Sequence, residues 1–177
     1  DALAAAETEL DAIVASLAVE SPEKAKIFTA HIEILNDEEV AEEVKDMIFS
    51  SRAMPDYAVD MVFTEFALLL EKAKDPLIAA RAADLRDVRN RVLRILKGEK
   101  EHNLANLREK VIVVAHDLLP SDTATLDRSH VMGIVTEVGG ATSHTAIIAR
   151  SYKIPAVLGV PDATEIMKNG EMVILDA

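Results

Sequence analysis

The stretch Gly139-Gly140-Ala141-Thr142-Ser143-His144-Thr145-Ala146-Ile147-Ile148-Ala149-Arg150 gathers residue types that could hold or transfer an anion. Gly139 and Gly140 accept backbone angles that other residues resist, so the chain can turn sharply there. Thr142 or Ser143 is suited to cap a helix beginning at His144, and the alanine- and isoleucine-rich run that follows reads as that helix. His144 then occupies a first turn, beside backbone N–H groups that lack intrahelical partners and at the positive end of the dipole. Such a place favours a phosphate or another anion. The imidazole can also carry a phosphoryl group itself, provided one ring nitrogen attacks in line while an acceptor fixes the other. Thr142, Ser143, the turn amides and Arg150 are the donors available to the transferred oxygens. The same pattern equally describes a plain glycine turn and a capped helix with an incidental histidine.

Other chemistries fit less well. A Ser-His-Asp hydrolase needs a strained nucleophile elbow, and no Gly-x-Ser-x-Gly occurs. Ser143 and His144 are neighbours in the chain, which is a poor arrangement for one to deprotonate the other. There is no cysteine, hence no thiolate nucleophile, no disulfide framework and no Cys-ligated metal. No two of the five histidines stand at His-x-x-x-His spacing, so no metal ligands are expected. His31, on a helix dense in apolar residues, reads as structural. His102 and His130 lie in polar connectors and read as surface residues. His116 follows an apolar run and can enter a site, while Asp117 beside it reads as a capping or loop residue.

The elements that must position these residues follow from periodicity. Of 177 residues half are hydrophobic, which is enough to build a real core, and only 3% are aromatic; Ala, Val, Leu and Ile favour packed helices. Leu3, Ala6, Leu10, Ile13 and Leu17 recur at helical spacing. Ser21-Pro22-Glu23 is a helix start, with Ser as cap and Pro in the first turn. Asp37 caps a third helix from Glu38. Met54-Pro55-Asp56 opens a fourth, and Asp75-Pro76 opens a fifth that runs to Gly98. Short connections make neighbouring helices antiparallel, so the first hundred residues predict a helical bundle, or two helical hairpins. After the polar connector from Gly98 to Asn103 the pattern changes. Val111–Ala115 reads as a strand buried on both faces. Leu119–Thr123 reads as a loop into a short helix, Gly133–Thr136 as a strand, His144–Tyr152 as a helix, and Pro155–Val160 and Met172–Asp176 as further strands. The fold class is α+β: a helical subdomain over residues 1–100, then an α/β subdomain over residues 101–177.

A formal net charge of −12 lacks the basic footprint that nucleic acid or an anionic membrane requires, and leaves room for a basic protein partner. No apolar run approaches the roughly 20 residues of a membrane span, and no signal peptide is visible, so a cytoplasmic location is the default. The chain opens within a helical pattern and reads as a fragment.

The segment from Gly139 to Arg150 closely resembles the phosphohistidine signature of enzymes that draw phosphate from phosphoenolpyruvate. Within that group it is most similar to Enzyme I of the bacterial sugar phosphotransferase system. Ala30-His31-Ile32-Glu33-Ile34-Leu35-Asn36-Asp37-Glu38-Glu39 resembles that family's second helical region. Arg81-Ala82-Ala83-Asp84-Leu85-Arg86-Asp87 resembles its ERAADxRD stretch, with Ala80 where Glu is usual. Asp117-Leu118-Leu119-Pro120-Ser121-Asp122-Thr123 resembles its DLTPSET segment. The family's N-terminal SPGIAxG stretch, which normally adds strands to the phosphohistidine domain, has no counterpart here.

The resemblance implies that His144 accepts a phosphoryl group on Nε2 from phosphoenolpyruvate and passes it to a histidine of the carrier protein HPr. It implies a helical docking platform for HPr followed by a swivelling phosphohistidine domain. Thr123 matches the hydroxyl that contacts the active histidine, with Thr142, Ser143 and Arg150 assisting and Gly139 and Gly140 cradling the phosphoryl group. The partner surface maps onto Ile34, Leu35, Glu38, Glu39, Arg81 and Arg86. The barrel domain that binds phosphoenolpyruvate and Mg²⁺ and forms a homodimer has no counterpart, so a fragment of this extent is expected to be a monomer and not to phosphorylate itself. Two other readings remain open: a pyruvate phosphate dikinase or phosphoenolpyruvate synthase relative, whose histidine shuttles to a nucleotide site, and a non-catalytic docking module.

Overall fold

The computed structural model describes residues 2–99, 104, 107–141 and 143–177. The chain divides into two compact units, Asp1–Glu101 and His102–Ala177. Residues 100–103 of the polar connector, His102 among them, lie outside the described residues.

The first unit is all helix: α1 (Ala2–Glu20), α2 (Pro22–Leu35), α3 (Glu38–Phe49), α4 (Pro55–Glu71) and α5 (Pro76–Leu96). Three of these five helices begin at a proline, which fits the first turn because its missing N–H would have had no partner there. Asp37 caps α3 by accepting from the backbone N–H of Glu39 at 2.9 Å and of Val40 at 3.2 Å. Asp75 does the same for α5 through Leu77 N–H at 2.8 Å. Ser21, expected to cap α2, makes no side-chain cap bond. Its backbone carbonyl already accepts from Lys24 and Ala25, so the turn is closed without the hydroxyl.

Two hairpins, α1 with α2 and α4 with α5, pack together, with α3 bridging from the first to the second. Leu10, Phe28, Val62, Phe63, Val88 and Val92 are buried almost completely between them. Helix α5 also carries polar ties to its neighbours. Glu9 on α1 accepts from Arg91 at 2.7 Å and also pairs with Arg94. His31 on α2 is fully buried, its Nε2 3.4 Å from Asp84. Arg86 pairs with Glu71 at 2.5 Å, and Arg89 reaches Thr64 on α4 at 2.7 Å. These ties fix which faces meet; apolar burial, at about 1.5–3 kcal/mol per large side chain, supplies most of the stabilisation.

The second unit is a small parallel α/β layer. Its strands β1 (Val111–Ala115), β2 (Val131–Thr136) and β3 (Ala156–Leu158) lie in the order β1-β2-β3. Val113 pairs with Ile134, and Ile134 with Ala156, all in parallel. The helices are α6 (Pro120–Thr125), α7 (His144–Tyr152) and a short α8 (Ala163–Ile166) that the sequence did not suggest. Leu118, Leu126, Val131, Ile134, Ala149 and Ile154 form the core.

Three expectations are corrected. β1 is half-buried along its whole length, because β2 takes the centre of the sheet and β1 an edge. The expected loop at Leu119–Thr123 is already helical from Pro120. Met172–Asp176 joins no ladder: Val173 and Leu175 are half-buried while Met172 and Ile174 are 95% and 96% exposed. The segment keeps a period of two but hydrogen-bonds to no strand; Leu175 instead lies over Gly133, where a Cβ would collide with it. Alternation selected the residues that face inward without supplying a partner backbone.

Two substitutions test the helical unit. Phe28→Ala is expected to cost about 3–5 kcal/mol through the cavity it leaves, and Asp37→Ala about 1 kcal/mol through lost capping, both read by urea denaturation.

Candidate active site

The C-terminal ends of parallel strands open towards a common edge, and this edge holds the polar residues of the second unit. After β2 the chain runs through Glu137 and Val138 into Gly139, whose φ of +105° is a conformation few other residues adopt. A Cβ on Gly139 would lie 3.2 Å from the Ser143 hydroxyl. Gly140 has open space around it and no positive φ, so it contributes access and not turn geometry. Ser143 caps α7, its Oγ accepting from Ala146 N–H at 3.2 Å. Thr142 lies outside the described residues.

His144 is the first residue of α7 and its side chain is exposed. Its Nε2 lies 2.9 Å from Oγ1 of Thr123, which is buried on α6 at 2% exposure. Thr123 Oγ1 is also 3.0 Å from the Pro120 carbonyl oxygen and 3.4 Å from that of Leu119. A hydroxyl has one hydrogen, so two arrangements satisfy this geometry. Thr123 donates to Nε2 and His144 carries its proton on Nδ1, or His144 donates from Nε2 and Thr123 donates to a carbonyl. The first leaves a nucleophilic lone pair at Nε2, under the control of a hydroxyl in a rigid pocket. Thr145 fastens the same turn from below, donating to the Leu118 carbonyl at 3.3 Å.

Arg150 donates from Nη1 to the Ala141 carbonyl at 2.9 Å. It therefore bridges α7 to the histidine loop, beside an open cleft of about 280 Å³ lined by Gly140, Ala141, Ala149, Ile154 and Leu158. His144 does not line that cleft.

Sequence reasoning missed a second polar cluster at the same sheet edge. Glu137, next after β2, accepts through Oε1 from the Thr164 N–H at 2.9 Å and hydroxyl at 2.5 Å. Its Oε2 lies 2.6 Å from Nδ1 of His116, next after β1. The Thr164 hydroxyl above all, then the His116 ring, holds the Glu137 carboxyl down at about 2. A signal was available: both residues directly follow strands of a parallel sheet, where ligand-side groups gather. His130, by contrast, is tied into a local turn with Asp127 at 2.7 Å.

On the helical unit, the expected partner residues divide. Glu38, Glu39 and Arg81 are exposed and Ile34 half-buried. Leu35 is only 6% exposed and faces the core, because it closes the last turn of α2 against the bundle; it offers a partner little surface. Arg86 is engaged with Glu71. Among the described residues, no three His, Asp or Glu side chains converge as a metal site requires, and no helix is long and apolar enough to cross a membrane.

The helical unit of paired hairpins and the parallel layer that presents a hydroxyl-tied histidine at a helix start each match a known class of protein. Residues 1–81 match the family described as PEP-utilising enzyme, N-terminal, and residues 107–177 the PEP-utilising enzyme, mobile domain. The chain is 44% identical to the phosphoenolpyruvate-protein phosphotransferase of Mycoplasma pneumoniae, covering 87% of this chain and 27% of that protein. It is 43% identical to the protein of that name from Geobacillus stearothermophilus, over 99% of this chain and 30% of the other. It thus spans under a third of either relative. A solution structure of Enzyme I is similar with a TM-score of 0.74 at 44% identity, covering 94% of this chain and 68% of that one. The N-terminal domain of Enzyme 1 - Nitrogen is similar at 0.58 and 28%, covering 89% and 64%. The chain belongs to the Enzyme I family of PEP-utilising phosphotransferases.

The depressed Glu137 carboxyl sets a pH dependence. Its folded value of about 2 lies below the ordinary 4.5, so its contribution to stability is complete above about 4.5 and is lost as pH falls towards 2. Thermal unfolding of the chain between pH 6 and pH 2 is expected to show this decline, and Glu137→Gln to flatten it. Gly139→Ala is expected to destabilise by about 1–2 kcal/mol, from left-handed strain and the contact with Ser143.

Proposed function

We propose that this chain is the phosphoryl-relay part of a phosphoenolpyruvate-protein phosphotransferase. His144 receives a phosphoryl group on Nε2 and hands it to a histidine of HPr, the step that drives sugar uptake. The observation that carries this reading is the hydrogen bond between the exposed His144 Nε2 and the buried Thr123 hydroxyl, 2.9 Å apart. A histidine that only ended a turn would need no such partner.

Thr123 acts first as a selector. By donating to Nε2 it favours the tautomer with the proton on Nδ1 and the lone pair on Nε2. It also occupies the direction from which phosphorus must arrive. The imidazole therefore turns away from Thr123 before in-line attack, and the threonine hydroxyl is then free to donate to a phosphoryl oxygen. Ser143 stands at the helix start, where backbone N–H groups and the dipole offset the added negative charge. Arg150, through the Ala141 carbonyl, keeps the loop in shape. Gly140 leaves the approach open.

Phosphoenolpyruvate and Mg²⁺ are assigned to a domain outside this chain, as is homodimer formation; the chain itself acts as a monomer. HPr docks on the helical unit, where the exposed Glu38, Glu39 and Arg81 and the edge of Ile34 offer mixed charge beside apolar surface. Such a surface speeds encounter without prolonging it.

With radiolabelled phospho-HPr the chain is expected to take an acid-labile label, since phosphohistidine hydrolyses in acid and phosphoserine does not. His144→Ala takes none. Thr123→Val takes it about tenfold more slowly, equivalent to about 1.4 kcal/mol in the barrier. An acid-stable label, or full labelling of His144→Ala, would overturn the assignment.

A further inference from the structure

The hydrogen bonds of the Glu137 carboxylate run to His116 and Thr164, at the segment from which the histidine loop springs. Several polar groups of that segment are held. The Glu137 N–H donates to the carbonyls of Ala115 and His116 at 3.1 and 3.2 Å, and the Val138 N–H to His116 at 3.1 Å. The fully buried Thr136 hydroxyl donates to the Val138 carbonyl at 2.7 Å. The Glu137 carboxylate then spans from His116, after β1, to Thr164 in α8, after β3. Two residues downstream stands Gly139, with its left-handed turn against Ser143. The carboxylate thereby joins the ends of three successive strand-following segments at one point. Its side chain is largely enclosed, at 15% exposure, although the His116 ring that it grips is 73% exposed.

We propose that Glu137 is a positioning residue for phosphoryl transfer, clamping the β2 exit to His116 and Thr164 so that the turn at Gly139 delivers His144 to Thr123 in one geometry. This rests on the reading of His144 as the phosphoryl acceptor. The clamp works by shape and hydrogen bonding. Gln reproduces it, since its amide oxygen accepts from Thr164 and its NH₂ donates to the His116 ring nitrogen in the tautomer protonated on Nε2. Ala removes it. Displacing a reacting group by about 1 Å is enough to slow a transfer about a hundredfold.

The test uses the full chain and radiolabelled phospho-HPr, with the His144 ring nitrogens followed by ¹⁵N NMR. Glu137→Ala is expected to lower the initial rate of labelling about tenfold and to shift or broaden the His144 Nε2 resonance. Glu137→Gln is expected to stay within about twofold of wild type with the resonance in place. His116→Ala releases one arm and Thr164→Val weakens the other, leaving the Thr164 N–H bond in place, and both fall between, which keeps the test alive if Glu137→Ala does not fold. Wild-type rates in Glu137→Ala, or in both single-arm variants, would overturn the proposal, as would equal losses in Glu137→Ala and Glu137→Gln. Failure of the wild-type chain to take label at all would strike instead at the role of His144, and the ring resonances would still report whether the clamp positions it.

Discussion

The α/β unit is arranged around one hydrogen bond, between a hydroxyl that solvent cannot reach and an imidazole that it can. Thr123 is buried and backed by the carbonyls of the first turn of α6, so its oxygen has little freedom. His144 is exposed, so its ring can turn. A bond between a fixed partner and a movable one defines a resting position without preventing departure from it. The helix start, the glycine turn and the Leu118–Thr145 tie bring those two atoms within 2.9 Å of each other. A buried histidine would be as well held, but no incoming group could reach it.

The helical unit meets a different constraint. Helices alone can slide or rotate against one another, since apolar faces are nearly interchangeable. Here α5 offers each neighbour a charge or a donor at a particular height: Arg91 and Arg94 to α1, Asp84 to α2, Arg86 and Arg89 to α4. Most of these pairs are too exposed to add much stability. Their effect is to penalise the wrong register, in which a guanidinium would be half-buried without a carboxylate.

Local signals in the sequence were read well where the structure depends on local chemistry. Asp37, Asp75, Pro55 and Ser143 announce helix starts because capping is decided within four residues, and α7 begins at His144 as its alanine-rich pattern requires. The long-range features were not readable in the same way. Alternation at Met172–Asp176 predicts a side that faces inward, but a ladder needs a second strand at the right distance, which no local pattern contains. The resemblance puts Leu35 on the contact surface, whereas helical rotation of one residue from Ile34 turns it into the core. The Glu137 clamp joins residues that are distant in sequence, and only the sheet brings them together.

The position of Leu175 over Gly133 has a consequence for how the chain is made. The helical hairpins close through short turns between neighbours, so their pairing can begin while synthesis is under way. The parallel sheet has no such shortcut. Val111 must wait for Val131, Ile134 must wait for Ala156, and the bare patch at Gly133 is covered only when Leu175 has been added. Within this chain the helical pairings can therefore form before the sheet pairings. The α/β unit is the one whose folding is more exposed to interruption.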